Sequence, residues 1–290
     1  MFLTNEVPSP QDSLRHCPRI ALIDSGIGGL SVLVEIEAQI PGLAISYFMD
    51  NLYLPYGELS EAKLVERLTC IVDFLLSQSP LDIIVIACNT ASTQSLDFLR
   101  QRFEHTFVGV VPAIKPAAMA SATGHIGLLA TPATVGGDYI NQLIDNFAIN
   151  CSVQKVGSSE LVHLAEDLFW HGEDNLDCSD ADVYADIVRI TSDFKQVDTV
   201  VLGCTHFPLI KSAIQQALGN GVLLVDSGKA IANRVSSLLG VTGTQSVQLG
   251  VGKKQLFTTR LLSLPKQHKL TAMGFDCIVD VAVQSPAITV

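Results

Sequence analysis

Short runs of β-branched and aliphatic residues recur along the chain, each handing over to a stretch with helical spacing: RIALID, AISYFMD, DIIVIAC, TFVGVVP, HIGLLAT, TVVLGC and VLLVD. Runs this short and this apolar read as strands buried on both faces. Between them lie segments such as Ser60 to Gln78, where Leu64, Leu68, Ile71, Val72, Leu75 and Leu76 gather on one side of a helix. Strand and helix in repetition dictate parallel strands joined by crossover helices, an α/β fold. With 290 residues, 48% of them hydrophobic and 16% charged, the chain can fill one large domain or two packed ones, and intrinsic disorder is excluded.

The halves of the chain correspond. The first has a strand ending in Asp24-Ser25 and another ending in Ala87-Cys88-Asn89-Thr90; the second has strands ending in Ala130-Thr131 and in Gly203-Cys204-Thr205-His206. Open α/β sheets hold ligands at the carboxyl ends of their strands, so two such lobes facing each other bring two thiols to one cleft. The expected architecture is two pseudo-symmetric open-sheet α/β lobes with the active site between them. Residues 1–112 plus 225–290 form the lobe carrying Asp24 and Cys88, and residues 113–224 the lobe carrying Thr131 and Cys204. The crossover falls near Pro112 to Pro116 and the return near Val225 to Gly228.

Lys plus Arg number 18 and Asp plus Glu 29, a formal charge of −11, and the densest cationic pair, Lys253-Lys254, stands alone. Nucleic acid and anionic membrane are thereby disfavoured, and a small substrate is favoured. The opening MFLTNEVPSPQDSLRHCPR lacks the basic leader and apolar core of a signal peptide, and no run approaches a membrane span. Seven widely spaced cysteines without C-x-x-C suit a reducing compartment, so the expectation is a cytoplasmic protein with free thiols.

Asp24-Ser25-Gly26-Ile27-Gly28-Gly29 after the first strand admits three readings. It resembles a dinucleotide fingerprint, with Asp50 where a ribose-binding acid would stand; its glycines could instead bring helix-start amides to a carboxylate ligand; or it is a tight turn with a capping residue. Cys88 opens a helix, where amides favour thiolate, and His206 follows Cys204 closely enough to serve it. Cys88, Cys204 and His206 lack the paired spacing of a metal site. The remaining histidines and Cys17, Cys70, Cys151, Cys178 and Cys277 show no grouping. Two thiols on opposite walls suit removal of a proton from one face of a carbon and delivery to the other, which is racemisation. A cysteine hydrolase would leave the second thiol idle, while a dinucleotide-dependent oxidoreductase and a non-catalytic amino-acid-binding protein remain open as alternatives.

DSGIGGLSV (Asp24 to Val32), PYG (Pro55 to Gly57), ACNTAS (Ala87 to Ser92), GVVPAIKPA (Gly109 to Ala117), GLLAT (Gly127 to Thr131) and LGCTHFPL (Leu202 to Leu209) resemble, in order, the successive motifs of glutamate racemases within the aspartate/glutamate racemase superfamily. The match runs from about residue 20 to 240. The resemblance implies a cofactor-independent isomerase of two α/β domains that supplies D-glutamate for peptidoglycan, with Cys88 deprotonating D-glutamate and Cys204 deprotonating L-glutamate. It further implies that Asp24 assists the first thiol and His206 the second, and that Ser25, Tyr56, Gly57, Asn89, Thr90, Thr205 and Thr131 hold the carboxylates and ammonium. Glu166 aligns with the acid of the family's V-P-L-V-E stretch, with His163 in place of the proline. LAEDLFWHGED, the N-terminal arm and the FTT and MGFD segments look like the longer proteobacterial subtype. That likeness brings UDP-MurNAc-L-alanine into view as an activator and leaves both monomer and homodimer open.

Overall fold

Each expected run becomes a strand, and the strands assemble into a pattern used twice. The computed structural model describes residues 17–171, 180–241 and 252–283. The N-terminal arm, Cys178 and the Gly-Glu-Asp that closes LAEDLFWHGED lie outside the described residues. Strands β1 (Arg19–Asp24), β2 (Ala44–Met49), β3 (Ile83–Ile86) and β4 (Phe107–Gly109) stand in the order β2-β1-β3-β4, linked by α1 (Leu30–Gln39), α2 (Glu61–Gln78) and α3 (Asn89–Arg102). After α4 (Ile114–Ala120), strands β5 (His125–Ala130), β6 (Ser152–Gly157), β7 (Thr199–Leu202) and β8 (Leu223–Val225) repeat that order as β6-β5-β7-β8. Their connections are α5 (Pro132–Gly136), α6 (Asp138–Phe147), α7 (Glu160–His171), α8 (Asp180–Thr191) and α9 (Lys211–Leu218). Every strand pair is parallel.

The chain then returns to the first sheet through α10 (Gly228–Leu238), β9 (Lys254–Thr258), α11 (Leu264–Ala272) and β10 (Cys277–Asp280). Strand β9 pairs with the outer side of β2 and β10 with β9, giving the six-stranded order β10-β9-β2-β1-β3-β4. The FTT segment is thus the end of a sheet strand. Strands β6, β9 and β10 escape a search for apolar runs because KQLFT and SVQKVG mix charge into the strand and CIVD lies at the sheet's edge, partly exposed.

Alternation along the strands feeds a core on each face of the sheets. Ile20 and Leu22 join one cluster with Leu33 and Val235, while Ala21 and Ile23 join another with Leu64, Leu68 and Ile71. Helix α2 begins at Ser60, whose hydroxyl accepts the amide of Lys63 at 3.4 Å, and Glu61 sits at its electropositive start. It buries Leu64, Leu68, Ile71, Val72 and Leu75, each contributing about 2 kcal/mol by removal from water.

Helix α2 also carries the fully buried Arg67. Its Nε and Nη2 donate to Asp50 Oδ2 and Oδ1, both at 2.8 Å, and the same carboxylate accepts from Tyr56 Oη at 2.9 Å and Thr259 Oγ1 at 2.9 Å. Asp50 is therefore committed to a buried ion pair, and the ribose-acid reading of it is overturned. Among the described residues no helix is long and apolar enough to cross a membrane.

Candidate active site

In an open parallel sheet the crevice opens where the strand order reverses, here between β1 and β3 and again between β5 and β7. Those four carboxyl ends deliver Asp24, Cys88, Thr131 and Cys204. All four are buried, Cys88 at 7% and Cys204 at 6% exposure, in the seam between the sheets. Cross-seam hydrogen bonds close it: Thr205 Oγ1 donates to Asp24 Oδ2 at 3.1 Å, Ser31 Oγ donates to the Thr205 carbonyl at 2.8 Å, and the hydroxyls of Thr90 and Thr131 meet at 2.8 Å.

The glycine turn after β1 explains itself at this seam. A Cβ on Gly26 would lie 1.9 Å from Glu166 Oε1, and one on Gly28 would lie 2.4 Å from His206 Nδ1. The glycines admit these side chains of the second lobe, and the Ile27 amide donates to Glu166 Oε1 at 2.8 Å. The carboxylate met by the turn is thus the protein's own, which removes the basis for a dinucleotide site.

Cys88 is the N-cap of α3. Burial pushes its thiol well above the usual 9.0, the Asp24 carboxylate and the nearby Cys204 add to that, and the amides of Ala91 and Thr90 pull the other way. On the opposite wall His206 Nδ1 lies 3.8 Å from Cys204 Sγ, and His206 Nε2 lies 2.9 Å from Glu166 Oε1. Burial works against a charged imidazole, but the Cys204 sulfur and the Glu166 carboxylate outweigh it and hold His206 well above 6.5. For Glu166 burial acts upward, and the His206 hydrogen bond and charge, the Ile27 amide and the Trp170 indole bring the net shift down. One wall thus carries a protonated thiol and the other a sulfur facing an imidazolium backed by a carboxylate.

Asp24 is shared between the lobes. Ser25 N donates to its Oδ1 at 2.5 Å, the Thr205 hydroxyl reaches it from the second lobe, and no hydrogen bond joins it to Cys88. Burial raises its carboxyl to about 6 against the pull of His206, the Ser25 amide and Thr205. Because the folded state keeps a proton that the unfolded state releases, this group lowers stability as pH rises from 3.8 to about 6, and the penalty is complete above that. Asp24→Asn is therefore expected to stabilise the fold by roughly 2–3 kcal/mol at pH 8 and by almost nothing at pH 4, while activity falls. Urea unfolding at the two pH values checks it, and an equal effect at both would contradict it.

The other expected residues are placed unequally. Ser25, Asn89, Thr90, Thr131 and Thr205 lie in the seam. Asn89 and Cys204 line a cavity of about 280 Å³, and Asn89 Nδ2 is buried with no hydrogen-bond acceptor among the described residues. Such an orphan donor costs about 1–3 kcal/mol unless a ligand accepts from it. Tyr56 differs: its hydroxyl is spent on Asp50, so only the backbone of Tyr56-Gly57 is left to face a ligand. His163 sits exposed in the first turn of α7. No group of three His, Cys, Asp or Glu among the described residues could hold a metal.

A sequence model of Asp/Glu/hydantoin racemases matches residues 35–235. The chain belongs to that racemase family. Glutamate racemase from Aliivibrio fischeri strain MJ11 is 51% identical over 260 residues, covering 89% of this chain and 95% of that one. Glutamate racemase from Vibrio cholerae is 46% identical over 265 residues, 89% of this chain and 94% of that one. Among solved structures, Escherichia coli glutamate racemase in complex with L-glutamate and the activator UDP-MurNAc-Ala superposes with a TM-score of 0.80 at 41% identity, over 92% of this chain and 99% of that one.

Three partners in this racemase's site were not among the expected residues. Trp170 Nε1 donates to Glu166 Oε2 at 2.7 Å, the Ile27 amide holds the other oxygen, and Thr134 joins the hydroxyl cluster of Thr90 and Thr131. The Trp170 contact has a sequence signal, since Glu166 and Trp170 stand four apart on one helix face. The Ile27 contact has none, because a backbone donor is invisible in residue type.

Proposed function

We propose that this racemase interconverts L- and D-glutamate without a cofactor, using Cys88 and Cys204 as the two acid–base groups. The observation that carries the reading is the repeated strand order, which sets one cysteine at the same strand end of each lobe, near enough for the charge of one to act on the other. The lobes are taken as residues 1–112 with 225–290, and 113–224; strand membership agrees with this except at Val225, which ends β8 and pairs with Val201 in the four-stranded sheet.

With L-glutamate between the lobes, the Cys204 thiolate takes the Cα proton, and the C–H electron pair stays on Cα, delocalised into the α-carboxylate. The Cys88 thiol then gives its proton to the opposite face, leaving D-glutamate, a Cys204 thiol and a Cys88 thiolate; the reverse reaction or solvent exchange restores the pair. The Cα proton is far less acidic than a thiol, so the developing charge needs fixed donors in a dry site. Asn89 Nδ2 is the uncommitted donor at hand. Ser25 and Thr205, which donate to Asp24 in this closed seam, join it by turning to the substrate, and the backbone of Tyr56-Gly57, Thr90 and Thr131 complete the grip on carboxylates and ammonium. Asp24 raises the basicity of Cys88, and Glu166 acts on Cys204 through His206. The thiols are buried, so entry of glutamate requires the lobes to part and catalysis requires them to close.

The reading extends to supply of D-glutamate for peptidoglycan, to UDP-MurNAc-L-alanine as activator, supported by the likeness to the E. coli complex, and to a cytoplasmic location, supported by the free thiols of Cys70, Cys88, Cys151, Cys204 and Cys277. Purified protein incubated with L-glutamate alone, then with UDP-MurNAc-L-alanine added, tests it by optical rotation. Decay of rotation to zero supports the reading, and unchanged rotation with and without the nucleotide contradicts it.

A further inference from the structure

Glu166 touches neither thiol, yet its orientation decides where His206 stands. Oε1 accepts from His206 Nε2 at 2.9 Å and from the Ile27 amide at 2.8 Å, and Oε2 accepts from Trp170 Nε1 at 2.7 Å. A buried carboxylate can rotate about its last bond unless both oxygens are tethered, and the indole is the tether on the second oxygen.

Trp170 is itself held from the other lobe. It stands on the last turn of α7, half-buried against the core of the six-stranded sheet together with Phe169, and the two rings meet edge to face at 4.9 Å. Helix α11, which belongs to that sheet's lobe, lays Lys266 Nζ 4.9 Å above the Trp170 ring and Lys269 Nζ 4.7 Å above the Phe169 ring. Lys269 also donates to the Phe169 carbonyl. Cations at the carboxyl end of α7 complement its dipole, and each cation–π contact adds to the hold.

We propose that Trp170 is a positioning residue for the Cys204 side of the reaction, fixing Glu166 so that His206 is aimed at Cys204, and that Lys266 holds the indole in place from the first lobe. The inference rests on the two-thiol reading above. It assigns a role in catalysis to α11, a helix far along the chain from either cysteine motif, and makes the aim of His206 depend on the lobes being together.

Trp170→Phe keeps a ring for packing and for Lys266 and removes only the N–H. Since the two enantiomers are equal in energy, kcat/KM must fall equally in both directions, and we expect a drop of about tenfold, the worth of one hydrogen bond to a charged group. The side-specific readout is the primary deuterium isotope effect. With α-deuterated L-glutamate it should rise, because abstraction by Cys204 becomes more rate-limiting, and with α-deuterated D-glutamate it should fall. Lys266→Met should shift the effects in the same directions with about a two- to threefold loss, and it decides the matter if Trp170→Phe does not fold. Isotope effects that stay put, or that move alike for both enantiomers, overturn the proposal. His206→Asn serves as reference: if it shifts the effects oppositely and Trp170→Phe does not, the role of Trp170 alone fails. If His206→Asn shows no opposite shift, His206 is not side-specific and the proposal fails with it, whereas the two-thiol reading itself stands or falls on Cys88→Ser and Cys204→Ser.

Discussion

Cys88→Ser and Cys204→Ser are each expected to lower kcat/KM for glutamate racemisation by about a thousandfold or more, within the range that a general acid–base group supplies, while the protein stays folded. Serine nearly matches cysteine in size, and each site has polar neighbours (Asn89 and Thr90, Thr205 and His206) beside the core it packs on, so the far-ultraviolet circular dichroism should be unchanged. The loss is in chemistry, because a hydroxyl is a far weaker acid than a thiol and gives almost no anion at neutral pH. The two variants should also differ in kind. With Cys88 gone, any residual exchange of the α-proton with solvent is confined to L-glutamate, which presents its proton to Cys204; with Cys204 gone, it is confined to D-glutamate. Proton nuclear magnetic resonance of each enantiomer in deuterated water reads this directly. Near-normal turnover in either variant, or exchange of both enantiomers in one, would contradict the assignment.

The largest stability effect is expected at Arg67. Its guanidinium meets Asp50 through two 2.8 Å hydrogen bonds, lies 4.6 Å from the centre of the Tyr53 ring and also donates to the Val283 carbonyl. Arg67→Met leaves the fully buried Asp50 carboxylate with only the hydroxyls of Tyr56 and Thr259. Removing one member of a buried pair strands the other charge and costs about 3–5 kcal/mol. Urea unfolding should show that loss, and the double variant Asp50→Asn/Arg67→Met should recover part of it, because the stranded charge is gone. A loss under about 1 kcal/mol in the single variant would mean that the pair is solvated or replaced. Because Tyr56 hangs from Asp50, the same variant should also weaken substrate binding at Tyr56-Gly57.

What could be read in the residues follows from how local the signal is. Strands β1 to β5, β7 and β8 are short apolar runs, and the cysteines at the ends of β3 and β7 stand out because the residues after each can hydrogen-bond. Strand β9 carries lysine and glutamine and pairs with β2 across some 200 residues of chain, so nothing near it announces a sheet strand. Asp50 looks like a ligand-binding acid by its place after β2, and only the fold brings Arg67 to it. The glycines after β1 fit several ligands as a motif; their cause, the Glu166 and His206 side chains of the other lobe, lies more than a hundred residues away. Side-specific assistance is visible in the sequence for His206, two residues from Cys204, whereas Asp24 takes hydrogen bonds from its neighbour Ser25 and, across the seam, from Thr205.

The central claim, that two thiols act on opposite faces of one carbon, is tested most directly by converting L-glutamate in deuterated water and following label at Cα in both enantiomers during the first few per cent of reaction. Two thiols predict D-glutamate fully deuterated from the outset and recovered L-glutamate almost free of label, because the proton taken by Cys204 and the deuteron given by Cys88 belong to different groups. Equal early labelling of both pools would contradict the claim and point to a single base.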